Sequence, residues 1–139
     1  MSAQFTIAEM HEFLDEVFPQ AGGRYEVLDL GEAGATVRMV AGEPDLRPGG
    51  TVSGPALFAL VDIAFYIAVL GRIGREALTV TTNVSLDFMR KAGPGELIAE
   101  ARILKAGRSL VVGDVLVRAS GVDGPVARAG LTYSVPPPR

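Results

Sequence analysis

The sequence predicts an α+β domain in which one curled antiparallel sheet wraps a single long apolar helix, with a short amphipathic helix ahead of both. Three observations carry this prediction. Pro55 to Leu70, PALFALVDIAFYIAVL, is a run of sixteen almost wholly apolar residues with one carboxylate, Asp62, in its middle. Segments with the character of strands lie on both sides of that run, two before it and four after. The chain of 139 residues, 48% hydrophobic and 21% charged, is long enough for one packed core and fits a single domain over 1–139.

The elements follow in chain order. Residues 6–18 read as a helix, because Thr6 and Glu9 form a T-x-x-E capping box and Pro19 ends the pattern. Residues 1–22 thus form an N-terminal helix and linker. RYEVLDL (24–30) and ATVRMVA (35–41) flank the turn GEAG, which signals a hairpin. The apolar run comes next, and a helix that is apolar all round must be covered. Sixteen residues at ~1.5 Å each span about 24 Å, short of a ~30 Å hydrocarbon core. Asp62 would add about 2.5 to 3.5 kcal/mol to the cost of insertion. No membrane partner is therefore expected, and the sheet has to supply the cover. From Val80 to Arg90 the chain alternates, with Val80, Thr82, Val84, Leu86 and Phe88 on an apolar face and Thr81, Asn83, Ser85, Asp87 and Met89 opposite. ELIAEARILKA (96–106) and SLVVGDVLVRAS (109–120) are joined through Gly107 and Arg108. VARAGLTYSV (126–135) sets Ala127, Ala129, Leu131, Tyr133 and Val135 on one face, and the PPPR tail (136–139) reads as flexible.

Composition closes off several functions. A net charge of −3 and a pI near 5.1 leave no basic excess to follow a phosphate backbone, so no nucleic-acid partner is expected. The absence of cysteine removes disulfides, thiolate metal sites and cysteine nucleophiles, and suits a reducing compartment. Glu9, Glu12, Asp15 and Glu16 stand where a secretory signal needs a basic start and an unbroken apolar stretch, which predicts a cytoplasmic protein. The sole histidine, His11, is far in sequence from Asp62, so a serine triad or a His-ligated metal site has no support. No P-loop or G-x-G-x-x-G is present, and GEAG and GVDG are plain turns.

The chemistry available centres on the long helix. A helix N-terminus gathers unsatisfied N–H groups and about half a positive charge, which suits an oxygen that becomes negative during acyl transfer. Ser53 is placed to cap that end. Pro55 has no N–H to give, which leaves Gly54, with Ala56 as a second candidate donor. Asp62, as a buried acid, either activates water, attacks a carbonyl carbon itself, or serves as a structural group bonded to Tyr66 one turn on. Thr81 either orients water or is a threonine favoured on a strand face.

The order of elements resembles the hotdog fold, and GGTVSGPALFALVDIAFYIAV is similar to the G-x-V-H-G-G-x-x-x-x-L-x-D segment of the PaaI-like hotdog thioesterases. The likeness runs through TVTTNVSLDFMRKAGPGELIAEARILKAGRSLVVGDV into VARAGLTYSV, covering about residues 35–135. It implies hydrolysis of acyl-CoA thioesters without metal or redox cofactor, with Asp62 as general base or nucleophile, Gly54 as the backbone donor and Thr81 as a water-orienting hydroxyl. The family's His-Gly-Gly stands here as Ser53-Gly54-Pro55, and Arg47 lies near its upstream Asn. Two polar groups are thus replaced, which keeps a second expectation open: a non-catalytic hotdog protein holding an acyl-thioester or related ligand as sensor or carrier. The missing histidine also counts against a hotdog hydratase.

Coenzyme A carries phosphates, for which the cations are Arg47, Arg90 and Lys91 before AGPGE, and Lys105 with Arg108 around KAGRS. Gly54 and Asp62 are eight residues apart, about 12 Å along one helix at ~1.5 Å per residue, too far for a single thioester to touch both. A two-fold homodimer that sets Gly54 of one chain near Asp62 of the other removes the mismatch. The resemblance implies the same dimer, or a tetramer built from two.

Overall fold

Thr6 Oγ1 accepts the Glu9 N–H at 3.1 Å while the Thr6 N–H donates to Glu9 Oε1 at 2.8 Å, so α1 (Ile7–Val17) begins at the capping box. The structure, a computed structural model, describes residues 3–137. Residues 138 and 139, half of the tail expected to be flexible, lie outside the described residues.

The hairpin of β1 (Tyr25–Gly31) and β2 (Gly34–Ala41) turns at GEAG, where a Cβ on Gly34 would overlap the Ala101 carbonyl, and α2 (Gly54–Ile73) comes after it. Then come β3 (Val80–Phe88), β4 (Gly95–Ala106), β5 (Leu110–Ala119) and β6 (Ala127–Ser134). All pairings are antiparallel, in the order β1-β2-β4-β5-β6-β3, and α2 lies against one face of this sheet. That is the hotdog fold. Small residues let the helix settle close to the sheet: Ala99 and Ala101 on β4 and Ala127 and Ala129 on β6 all point inward and are buried. Gly113 on β5 goes further, since a Cβ there would overlap both the Arg102 carbonyl and the Phe65 ring of α2. Gly113→Ala is accordingly expected to cost about 2 to 3 kcal/mol by overpacking, read as a shift in a urea unfolding curve at constant slope.

Two expectations change. The apolar helix is not sixteen residues but twenty, long enough by length and composition to cross a membrane at ~1.5 Å per residue. Length therefore does not settle the matter. Two-thirds of its most apolar stretch is covered within the molecule, as in the core helix of a folded domain. The second change is in β3, whose register with β6 slips between Thr81 and Asn83. This β-bulge inserts one residue and reverses the alternation at the strand's start, so Thr81 faces inward with Val84 and Leu86 while Val80 and Thr82 face out. β3 is also an edge strand, with one ladder of backbone groups unpaired within the chain.

Candidate active site

The loop before α2 is shaped by two glycines. Gly49 and Gly50 have φ of 100° and 81°, values that favour glycine, and they let the Arg47 N–H reach the Thr51 carbonyl at 2.8 Å. The Val52 N–H then donates to the Ala92 carbonyl at 2.8 Å, tying this loop to the segment after β3. From below, Asp45 is buried and takes the Arg24 guanidinium through both oxygens, at 2.9 and 2.8 Å, and the Gly42 N–H at 2.9 Å. Burial pushes the Asp45 carboxyl up, but the Gly42 N–H and the Arg24 charge outweigh it and hold the group below the usual carboxylate range. This anchor contributes fully at neutral pH and weakens only as pH falls through that depressed value.

The result is a cleft of about 350 Å³ at the start of α2, lined among others by Arg47, Gly54, Phe88, Arg90 and Lys91. Four residues singled out from the sequence meet here. Ser53 is the N-cap, its Oγ accepting the Ala56 N–H at 3.2 Å, which removes Ala56 from the candidate donors. Leu57 N–H goes to the Ser53 carbonyl at 3.1 Å. The Gly54 N–H has no acceptor among the described residues and is the one donor of the first turn left for a ligand. The Phe88 ring lies over it, 3.3 Å from where a Cβ on Gly54 would stand. One arm of Arg90 is held by the Pro125 carbonyl at 2.6 Å, leaving its other N–H groups for a phosphate. Lys105 and Arg108 do not join the cleft. Their turn sits at the Val80 end of the sheet, whereas Arg90 follows Phe88 at the other end, eight residues away or roughly 26 Å at ~3.3 Å per residue.

Asp62 lies two turns further along α2 and is only partly buried, not enclosed as the apolar run suggests. Thr81 Oγ1 donates to its Oδ1 at 2.6 Å, a contact made possible by the bulge that turns Thr81 inward. The Tyr133 hydroxyl reaches the same oxygen, also at 2.6 Å, and lies 2.9 Å from the Asp62 backbone carbonyl. Asp62 Oδ2 has no partner among the described residues. Tyr66, the partner considered for a structural Asp62, donates instead to the Ala77 carbonyl at 2.8 Å. Sequence reasoning missed Tyr133 as a site residue. Its signal was there, as the one polar side chain on the inward face of β6, but alternation alone marks such a residue as core. His11 accepts the Val27 N–H through Nε2 at 3.2 Å and so ties α1 to β1, with no bond to any residue of the site.

The structure thus sets a free helix N–H beside cations at one end of α2 and a carboxylate with one open oxygen two turns along it, the groups that the resemblance to hotdog thioesterases implies. Likeness to known proteins agrees with this. The family model described as "Thioesterase superfamily" matches residues 49–125, more than half of the chain, and the chain belongs to that superfamily. The matched span includes Gly54, Asp62 and Thr81 but stops short of Tyr133. Among solved structures, a candidate thioesterase from a Silicibacter species is 50% identical, with 99% of this chain and 96% of that one covered at a TM-score of 0.89. A mutant of the phenylacetic acid degradation protein PaaI from Thermus thermophilus is 26% identical, with 90% of this chain and 99% of that one covered at a TM-score of 0.72. A candidate esterase from Saccharolobus solfataricus is 28% identical over 112 residues, 79% of this chain and 73% of that protein.

Proposed function

We propose that this protein hydrolyses acyl-CoA thioesters to the free acid and coenzyme A. The observation that carries the proposal is the unclaimed Gly54 N–H at the floor of a cleft that also holds Arg47, Arg90 and Lys91. A thioester oxygen placed on that N–H sits at the positive end of α2, where the charge that develops on it is stabilised. The cations are there for the coenzyme's phosphates. Asp62 acts through Oδ2 in one of two ways. As a base it takes a proton from the water that attacks the carbonyl carbon, and when the C–S bond breaks the thiolate leaves with that proton. As a nucleophile it attacks the carbon itself, and the C–S bond breaks to leave a mixed anhydride on Asp62. Water then cleaves the anhydride to free the acid and the carboxylate while its proton goes to the thiolate.

Gly54 and Asp62 lie about 12 Å apart along α2 at ~1.5 Å per residue, so the proposal includes a homodimer in which each site takes Gly54 from one chain and Asp62 from the other. Two features support that assembly. The edge of β3 is unpaired, and Phe58, Leu78 and Val80 are exposed apolar residues beside it or one turn from Asp62. The absence of cysteine suits a reducing compartment, and we place the enzyme in the cytoplasm.

The test is release of free thiol from a panel of acyl-CoAs, from acetyl through phenylacetyl to palmitoyl. Turnover of at least one member well above the uncatalysed rate is expected, and ligand binding with no thiol release across the panel would make the protein a carrier or sensor. With the best substrate, replacing Arg47 and Lys91 together by alanine should raise KM about tenfold for the CoA ester, and little for a pantetheine thioester that lacks the nucleotide. Lys105→Ala with Arg108→Ala serves as the contrast and should leave both KM values unchanged if the cleft alone holds the phosphates.

A further inference from the structure

We infer that Tyr133 is a positioning residue which, together with Thr81, grips one oxygen of Asp62 and so presents the other, Oδ2, to the reaction. The inference rests on the proposed role of Asp62 and adds a residue that lies outside the span matched by the family model. Its basis is an asymmetry. Two hydroxyls, one from β3 and one from β6, converge on Oδ1 at 2.6 Å each, while Oδ2 receives none among the described residues. A carboxylate held for structure alone gains most by satisfying both oxygens, whereas one prepared for proton transfer or attack needs one oxygen fixed and the other free. The carboxylate's remaining freedom is rotation about its last bond, and two donors on the same oxygen remove it.

Tyr133 is built for this task. Its ring is 2% exposed and is held between Phe65, at 5.3 Å and 64° between planes, and Tyr66, at 6.3 Å. The hydroxyl is thus delivered inside the protein, with the Asp62 carboxylate and carbonyl as acceptors in reach and the Thr81 hydroxyl beside it. Its one proton goes to the carboxylate, the shorter and charged of its two contacts, with the Asp62 carbonyl as a close second neighbour. Burial first, and then the charge of Asp62, hold the phenol well above its ordinary ionisation range, so it remains a donor at neutral pH. Thr81 comes from the edge strand β3, where it is the direct register partner of Tyr133 on β6, and the bulge that follows turns it to the same inward face, so the pairing of these two strands brings both hydroxyls to one oxygen.

The experiment compares Tyr133→Phe, which keeps the ring, with the pair Thr81→Val and Thr81→Ser, which removes and restores a hydroxyl. Loss of the Tyr133 hydroxyl is expected to lower kcat about tenfold or more while KM stays within about twofold, since substrate contacts are untouched. Thr81→Val should behave in the same way and Thr81→Ser should recover most of the rate. Single turnovers with enzyme in excess, in an Asp62→Asn background, supply the reading that a packing defect would not give. There, Tyr133→Phe should change nothing further, because it acts through the acid. A Tyr133→Phe enzyme with normal kcat, or one that slows the Asp62→Asn protein by the same factor as the wild type, overturns the inference. If Asp62→Asn itself turns over normally, the role given to the acid falls, and that outcome is separate from a failure of Tyr133 alone. Should Tyr133→Phe not fold, the Thr81 pair measured on its own decides the clamp: equal kcat for Thr81→Val and Thr81→Ser would remove it.

Discussion

Asp62→Asn is expected to lower kcat for a good acyl-CoA substrate by about 10³-fold, the usual scale for losing a group that moves the proton or forms the bond, equivalent to roughly 4 kcal/mol of barrier. The structure explains why the loss should be confined to chemistry. An asparagine keeps a carbonyl oxygen at the Oδ1 position, where Thr81 and Tyr133 both donate, and puts its NH2 at the Oδ2 position, which has no partner to offend among the described residues. The volume is nearly unchanged, so the unfolding curve and the binding of substrate should resemble those of the wild type. Turnover within tenfold of wild type, measured by thiol release on protein checked by circular dichroism, would end the mechanism proposed for this acid.

The second large effect is a recovery. Gly54→Val places a branched side chain where a Cβ already comes within 3.3 Å of the Phe88 ring, so it both crowds the free N–H and pushes the ring into the cleft. Phe88 is exposed and can swing aside, which leaves the fold intact while the donor is blocked. Alone, Gly54→Val and Asp62→Asn chains should each be nearly inactive. Mixed in equal amounts and allowed to exchange, half of the dimers become heterodimers, and each of these has one site with both lesions and one with neither. Activity should return to about a quarter of the wild-type value, because half of the dimers contribute half of their sites. Subunit exchange demonstrated by mass spectrometry with no return of activity would show that Gly54 and Asp62 act within one chain, and the shared-site dimer would be wrong.

Much of the architecture was legible because it depends on local pattern. Thr6 and Glu9 mark where α1 begins, GEAG marks the first hairpin, and the alternation in VARAGLTYSV identifies the inward face of β6, all of which depend on residues within a few positions of one another. The boundaries of α2 were less legible. The apolar run ends at Leu70, yet the helix continues to Ile73, with Arg72 in its last turn where a positive charge is favourable. Asp62 stood out since a carboxylate amid apolar residues demands a reason, and Gly54 stood out through its place beside a proline and a cap.

What the sequence by itself determined, then, is the set of elements, the single long helix to be covered, and the two polar points on that helix where chemistry could occur. Those follow from periodicity, capping and the cost of burying charge, which act over short stretches of chain. The tertiary structure alone decided which groups meet. The bulge after Thr81 is invisible in a clean alternation, and it alone turns that hydroxyl onto Asp62. Tyr133 is 71 residues from Asp62 in the chain and meets it because β6 runs beneath α2, while Tyr66, one turn away, is drawn to Ala77 instead. Arg47 joins Arg90 and Lys91 through a backbone bond from Val52 to Ala92, and Lys105 and Arg108, similar in composition and near in sequence, are carried by β4 to the opposite end of the sheet. A strand advances ~3.3 Å with every residue, so residues close in the chain end far apart in the sheet, and only the pairing of strands says which distant residues share a site.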